Sequence, residues 1–231
     1  MSAEQRLLGL AGLGRFGRAR WQHSSNPYTA PMQRLPVLDL VLVRHADPIP
    51  SGTPDYDEQE RPLSDEGHHQ AEELADELEP YQLHGIYSSP YPRAIQTVEP
   101  IARRRGLKVQ LLDDMRERLL SPAALPGWRG HLERSFADDD YAVTGGETSR
   151  DAQRRGMGML DLLRARHLNG GRILVASHSA LITLILRAIG PDVGYAFWEA
   201  MPYPAVYWLQ HDGQAWRVMG GYGFSVADAT A

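Results

Sequence analysis

The sequence predicts an α/β fold on a mainly parallel central sheet, and three observations carry that reading. Two apolar runs, Leu40-Val41-Leu42-Val43 and Ile173-Leu174-Val175-Ala176, have the composition of strands covered on both faces. Segments of helical spacing stand between the strand candidates, as parallel neighbours require. Each apolar run also ends on a histidine, in Arg44-His45 and Ser177-His178. Open α/β sheets bind ligands just past the carboxyl ends of such strands.

The 231 residues suffice for one sizeable core, and 42% hydrophobic with 23% charged residues describe an ordinary globular chain. The first 36 residues differ, with five arginines against the single acid Glu4, a charge of +4 that leaves −9 on the rest of a chain totalling −5. They are expected to form a flexible basic leader outside the fold, with residues 37–231 as a single catalytic domain. Met32, just before the first strand, is an alternative start. The acidic balance gives no reason to expect nucleic acid, and no run reaches the roughly 18 apolar residues of a membrane span. Cysteine is absent, which excludes disulfides and thiolate chemistry. The nine histidines lack close ligand spacing, so neither a metal nor another cofactor is expected.

After Arg44-His45, the Pro- and acid-rich stretch Pro48 to Pro62 reads as a loop. Ser64-Asp65-Glu66 offers a cap and two acids for a helix from Asp65 to Glu79, stopped by Pro80. His84 to Ser89 is a short strand, and Arg93 begins the next helix, with Ile95, Val98 and Ala102 expected inside and Arg103 to Arg105 solvated before Gly106. Lys108 to Leu112 is a third strand, leading to Met115-Arg116-Glu117-Arg118. Leu119 to Gly146 reads as a loop-rich lid or specificity wall, where Trp128 either stacks on a substrate or belongs to local core. Ser149 to Arg166 is helical with Met159, Leu160, Leu162 and Leu163 as core candidates. Arg172 to Ser177 is the fourth strand, Ala180 to Ile189 a buried helix, and Pro204 to Gln210 with Trp216 to Met219 an antiparallel edge.

Parallel strands bring their carboxyl ends to one sheet edge, so Arg44, His45, Arg93, Glu117 and His178 are candidates for a common site. Two guanidiniums suit a phosphate, since each donates parallel hydrogen bonds to its oxygens. One neutral imidazole is then a competent phosphoryl acceptor, while the second assists the arginines in stabilising charge on the equatorial oxygens. Glu117 is placed to hand a proton to the leaving alkoxide and to take one back from water. As an alternative, Arg116 and Arg118 make Glu117 an ordinary ion-pair partner.

These residues stand in blocks that resemble the histidine phosphatase superfamily, also called the phosphoglycerate mutase-like family. The blocks are Arg44-His45, Leu63-Ser64-Asp65-Glu66-Gly67-His68-His69-Gln70-Ala71, Ser88 to Thr97, Glu117, Gly145-Gly146-Glu147-Thr148 and Ser177-His178, in the family's order. The resemblance implies a three-layer α/β/α sandwich. It also implies His45 as the phosphorylated nucleophile, Arg44 and Arg93 as phosphate ligands, His178 as the second pocket histidine, and Glu117 as the proton donor. The chain departs from the family's usual Gly after the nucleophile, reading Ala46-Asp47-Pro48, and has Ser179 after His178. Arg61 either extends the phosphate site or serves the following helix, and Glu147 and Thr148 either line the pocket or only follow a turn.

The expected activity is metal-independent hydrolysis of a small-molecule phosphate monoester through phospho-His45, in a cytoplasmic enzyme. The alternatives are a phosphoglycerate mutase-type phosphotransferase, hence an isomerase, and a non-catalytic phosphate-binding module. No nucleic-acid or membrane partner is expected, and a homodimer remains an option.

Overall fold

The first apolar run folds as β1 (Leu38–Arg44), in which every residue except Asp39 is buried. The computed structural model describes residues 36–52, 57–190 and 192–224, so the leader expected over residues 1–36 lies almost wholly outside the described residues. After β1 come α1 (Asp65–Leu78), β2 (Gly85–Ser88), α2 (Pro92–Arg105), β3 (Val109–Leu111) and a 3-10 turn (Asp113–Met115). The second half contains α3 (Trp128–Ala137), α4 (Ser149–Arg166), β4 (Gly171–Ser177), α5 (Ser179–Ile189), α6 (Tyr195–Ala200), β5 (Ala205–His211) and β6 (Trp216–Gly221).

The six strands make one sheet in the order β3-β2-β4-β1-β5-β6. The first four are parallel, and β5 and β6 complete it as an antiparallel edge. Because side chains alternate along a strand, β1 feeds two cores. Leu38, Leu40 and Leu42 join Ile173 and Val175 against α4 and α5, whereas Val41 and Val43 join Leu174 and Ala176 against α1 and α2. Helices on both faces give the three-layer α/β/α sandwich. No helix among the described residues is long and apolar enough to cross a membrane.

Several local expectations need correction. The segment Leu119 to Gly146 contains α3, which has only Leu132, Ser135 and Phe136 buried and therefore no apolar stripe to announce it. The short α6 has no fully buried residue. Leu162 is 41% exposed, because the buried stripe of α4 runs through Ala152, Gly156, Met159, Leu160 and Leu163. On α2 the inner face is Ala94, Thr97, Val98, Ile101 and Ala102, so Val98 and Ala102 are inside while Ile95 is only half-buried.

The topology fixes where a site forms. β1 and β4 are neighbours, yet the helix after β1 packs on one face of the sheet and the helix after β4 on the other. Chains that depart to opposite faces leave a crevice at the strand ends between them. The register pairs Arg44 with Ser177, so His45 and His178 leave the sheet side by side.

Candidate active site

His45 and His178 meet at this crevice with ring centroids 5.1 Å apart, and both are at most 5% exposed. His45 Nδ1 lies 2.8 Å from the carbonyl of Ala46. A carbonyl only accepts, so Nδ1 carries the proton and Nε2 holds the free lone pair. Burial first, and then the charge of Arg93, push the His45 imidazole well below its ordinary value of 6.5. His178 is lowered well below 6.5 by the same leading causes, and its Nε2 sits 2.8 Å from Ser89 Oγ at the end of β2. The second imidazole is thus held neutral in the unliganded protein.

A buried neutral histidine binds fewer protons when folded than when unfolded below pH 6.5. Stability is therefore complete above that value and falls as pH drops through it, by up to about 1.4 kcal/mol per pH unit for each histidine. Urea midpoints should decline between pH 7 and pH 5.5, and a midpoint that stays constant would contradict the neutral pair.

Arg44 and Arg93 flank the histidines, 7% and 2% exposed. Both are anchored alike. Arg44 donates from Nη1 to the carbonyls of Met201 and Pro202, and Arg93 Nη1 donates to the Glu58 carbonyl at 2.6 Å. Each keeps a buried Nε, and His178 a buried Nδ1, that find no partner among the described residues. Arg93 Nη2 stands 3.4 Å from the Glu58 carboxylate. Burial lowers the pKa of both guanidiniums, a desolvation cost that an incoming dianion offsets.

The residues after His45 explain the block Leu63 to Ala71. The Asp47 carbonyl accepts from Ser64 N at 3.0 Å, Asp47 N donates to Gln70 Oε1 at 2.9 Å, and Ser64 Oγ also caps α1 through Gly67 N. At Gly67 a Cβ would lie 2.0 Å from the Asp47 oxygen, so only glycine lets α1 approach this loop. Ala46 N donates to Thr97 Oγ1 at 2.9 Å. The Ala46 methyl packs with Leu63 and Ala71, which accounts for its tolerance beside His45.

Glu117 caps the start of α5: its carboxylate accepts from Leu181 N at 3.0 Å and Ala180 N at 3.2 Å. Its charge acts on both Arg44 and Arg93. Arg155 staples this segment, donating to the carbonyls of Asp114, Arg116 and Glu117 while pairing with the Glu147 carboxylate at 2.7 Å. Glu147 thereby serves Arg155, and Thr148 is the N-cap of α4, accepting from Asp151 N at 3.0 Å. Neither makes a described contact with His45 or His178. Arg61, half-buried, donates to the Ile49 carbonyl and grips Glu58 at 2.6 Å, and its charge reaches His45.

Sequence reasoning missed Glu58, Arg155, Tyr91 and Tyr203. Tyr91 was within reach as the residue just before Pro92-Arg93. Tyr203 needed the β1–β5 register, which pairs Arg44 with Ala205 and brings the preceding loop over the site.

A parallel sheet with an antiparallel edge, and two histidines at its switch point, are features of the phosphoglycerate mutase-like α/β class. The chain belongs to the histidine phosphatase superfamily (branch 1), whose family model matches residues 40–220. It is 28% identical over 177 residues to phosphoserine phosphatase 1 of Hydrogenobacter thermophilus, covering 71% of this chain and 81% of that protein. A mycobacterial glucosyl-3-phosphoglycerate phosphatase superposes with a TM-score of 0.63 at 23% identity, over 79% of this chain and 97% of that one. Phosphoglycerate mutase from Bacillus anthracis gives a TM-score of 0.65 at 17% identity, over 80% and 92% of the respective chains.

Proposed function

We propose that the protein is a phosphatase that hydrolyses a phosphate monoester through a phosphohistidine on His45, using no metal. The observation that carries this reading is the matched pair Arg44 and Arg93, each tied back through Nη1 and each with an unpartnered buried Nε beside a neutral histidine. Guanidinium edges held this way suit bidentate contact with phosphate oxygens.

In the first step the His45 Nε2 lone pair forms the N–P bond, the bond from phosphorus to the ester oxygen breaks, and the Glu117 carboxyl protonates the departing alkoxide. In the second, water attacks phosphorus and gives its proton to Glu117. The N–P bond breaks and inorganic phosphate leaves. His178 donates to an equatorial oxygen, with Arg44 and Arg93 stabilising charge in both transition states. Arg61 supports the pocket through Glu58 and through its charge. Phosphatase names among the relatives support the hydrolytic reading.

The test is phosphate release from a panel of phosphate monoesters in the presence of EDTA. Release insensitive to the chelator is expected. Bisphosphoglycerate-primed isomerisation of phosphoglycerate without net release would replace the phosphatase by a mutase, and no turnover across the panel would leave a binding module.

A further inference from the structure

We infer that the leaving group taken by this site is flat and apolar and carries no carboxylate, because tyrosine rings wall the approach to His45 while the surrounding cations already face carboxylates. The inference rests on the phosphatase reading and names the substrate class for the same site.

Four rings are in successive contact. Tyr203 lies 5.4 Å from His45, His45 5.1 Å from His178, and His178 5.0 Å from Tyr91, centroid to centroid. The outer rings also cover the arginines: Arg44 Cζ is 3.5 Å from the Tyr203 centroid and Arg93 Cζ 4.9 Å from that of Tyr91. Tyr203 is 38% exposed and Tyr91 half-buried, so both rings border solvent where a substrate enters. A phosphate held between the two arginines directs its ester bond outward past these phenols. An aromatic leaving group gains ring contacts there that a hydrated chain does not.

The charge pattern points the same way. The cations acting on the two histidines are Arg44, Arg93, Arg61 and Arg155. The first two hold phosphate. Arg61 is gripped by both oxygens of Glu58, at 2.6 and 3.1 Å, and Arg155 by both oxygens of Glu147, at 2.7 and 2.9 Å. A substrate carboxylate has to displace one of these partners, and Glu58, half-exposed beside Arg93, repels it as well.

Benzyl phosphate, ethyl phosphate and phosphoglycolate separate the two effects, because all three release an alcohol. For wild type, kcat/KM should favour benzyl over ethyl phosphate by roughly two- to tenfold, the range of an aromatic contact. Ethyl phosphate should in turn exceed phosphoglycolate. Tyr203→Ala should bring the benzyl-to-ethyl ratio towards one, and Glu58→Gln should narrow the gap to phosphoglycolate. A wild-type benzyl-to-ethyl ratio of one, or a preference for phosphoglycolate, overturns the inference while leaving the phosphatase intact. An unchanged benzyl-to-ethyl ratio in Tyr203→Ala removes the tyrosine wall as its basis. Turnover of none of the three, while other monoesters of the panel are hydrolysed, overturns the inference alone, and no turnover across the whole panel overturns both.

Discussion

Replacing His45 by alanine should lower kcat for phosphate release by about 10⁴-fold or more, because the covalent route disappears together with the attacking atom. The protein should still bind inorganic phosphate, since the proposed phosphate ligands Arg44, Arg93 and His178 do not depend on the His45 side chain. Isothermal titration of the variant with phosphate, alongside single-turnover assays, separates the two effects. The same variant should lose less stability on acidification below pH 6.5, since one of the two histidines lowered by burial is gone.

Arg93→Met should cost roughly 10²–10³-fold in kcat/KM, the usual consequence of removing one donor to developing charge. Its effect on stability should be opposite to that of an ordinary core truncation. Arg93 is 2% exposed, its close hydrogen bond goes to the neutral Glu58 carbonyl and the Glu58 carboxylate stands 3.4 Å away, so the folded state bears most of the cost of burying its charge. A methionine of similar length removes that cost, and thermal unfolding should occur at the same or a higher temperature. Arg93→Lys should recover part of the charge effect without the two-pronged geometry. A large loss of stability in Arg93→Met would mean that the residue holds the loop around Glu58 and that its catalytic loss is indirect.

Both central strands were readable because burial on two faces leaves an uninterrupted aliphatic run, the least ambiguous signal a short segment carries. The same signal located His45 and His178, since each run stops abruptly on its histidine. Amphipathic helices such as α1 and α2 announced themselves through caps and spacing. What local pattern leaves out is anything fixed by distant pairing. Arg155 reaches the carbonyls of Asp114, Arg116 and Glu117 only because α4 packs beside the 3-10 turn, and Tyr203 covers Arg44 only because β5 runs antiparallel to β1. Glu58 lies in a polar loop whose composition says nothing about which cation it meets. For α3, the single spacing of Leu132 and Phe136 is too little periodicity to distinguish a helix from a loop. Thr148 illustrates the reverse case. Its hydroxyl followed by Asp151 is a helix-start signature, and that local role is the one its described hydrogen bonds show.

The Ala46-Asp47-Pro48 run also has a local explanation once α1 is in place. Pro48 gives up a donor, but the loop's backbone is held by Ser64, Gln70 and Thr97, and the neighbouring Ile49 N donates to Pro62 O at 3.0 Å. The block from Leu63 to Ala71 is in this sense the scaffold of the loop that follows His45, and the side chains of its exposed pair His68-His69 take no described part in it.

The most direct measurement is rapid-quench trapping of the enzyme with a phosphate monoester labelled on phosphorus, followed by peptide mapping. Label on the peptide containing His45, stable to alkali and released by acid as an N–P bond requires, and absent from His45→Ala, is the expected result. Turnover without any protein-bound phosphate on the millisecond scale, or label retained by His45→Ala at His178, would contradict the assignment of His45 as the group that attacks.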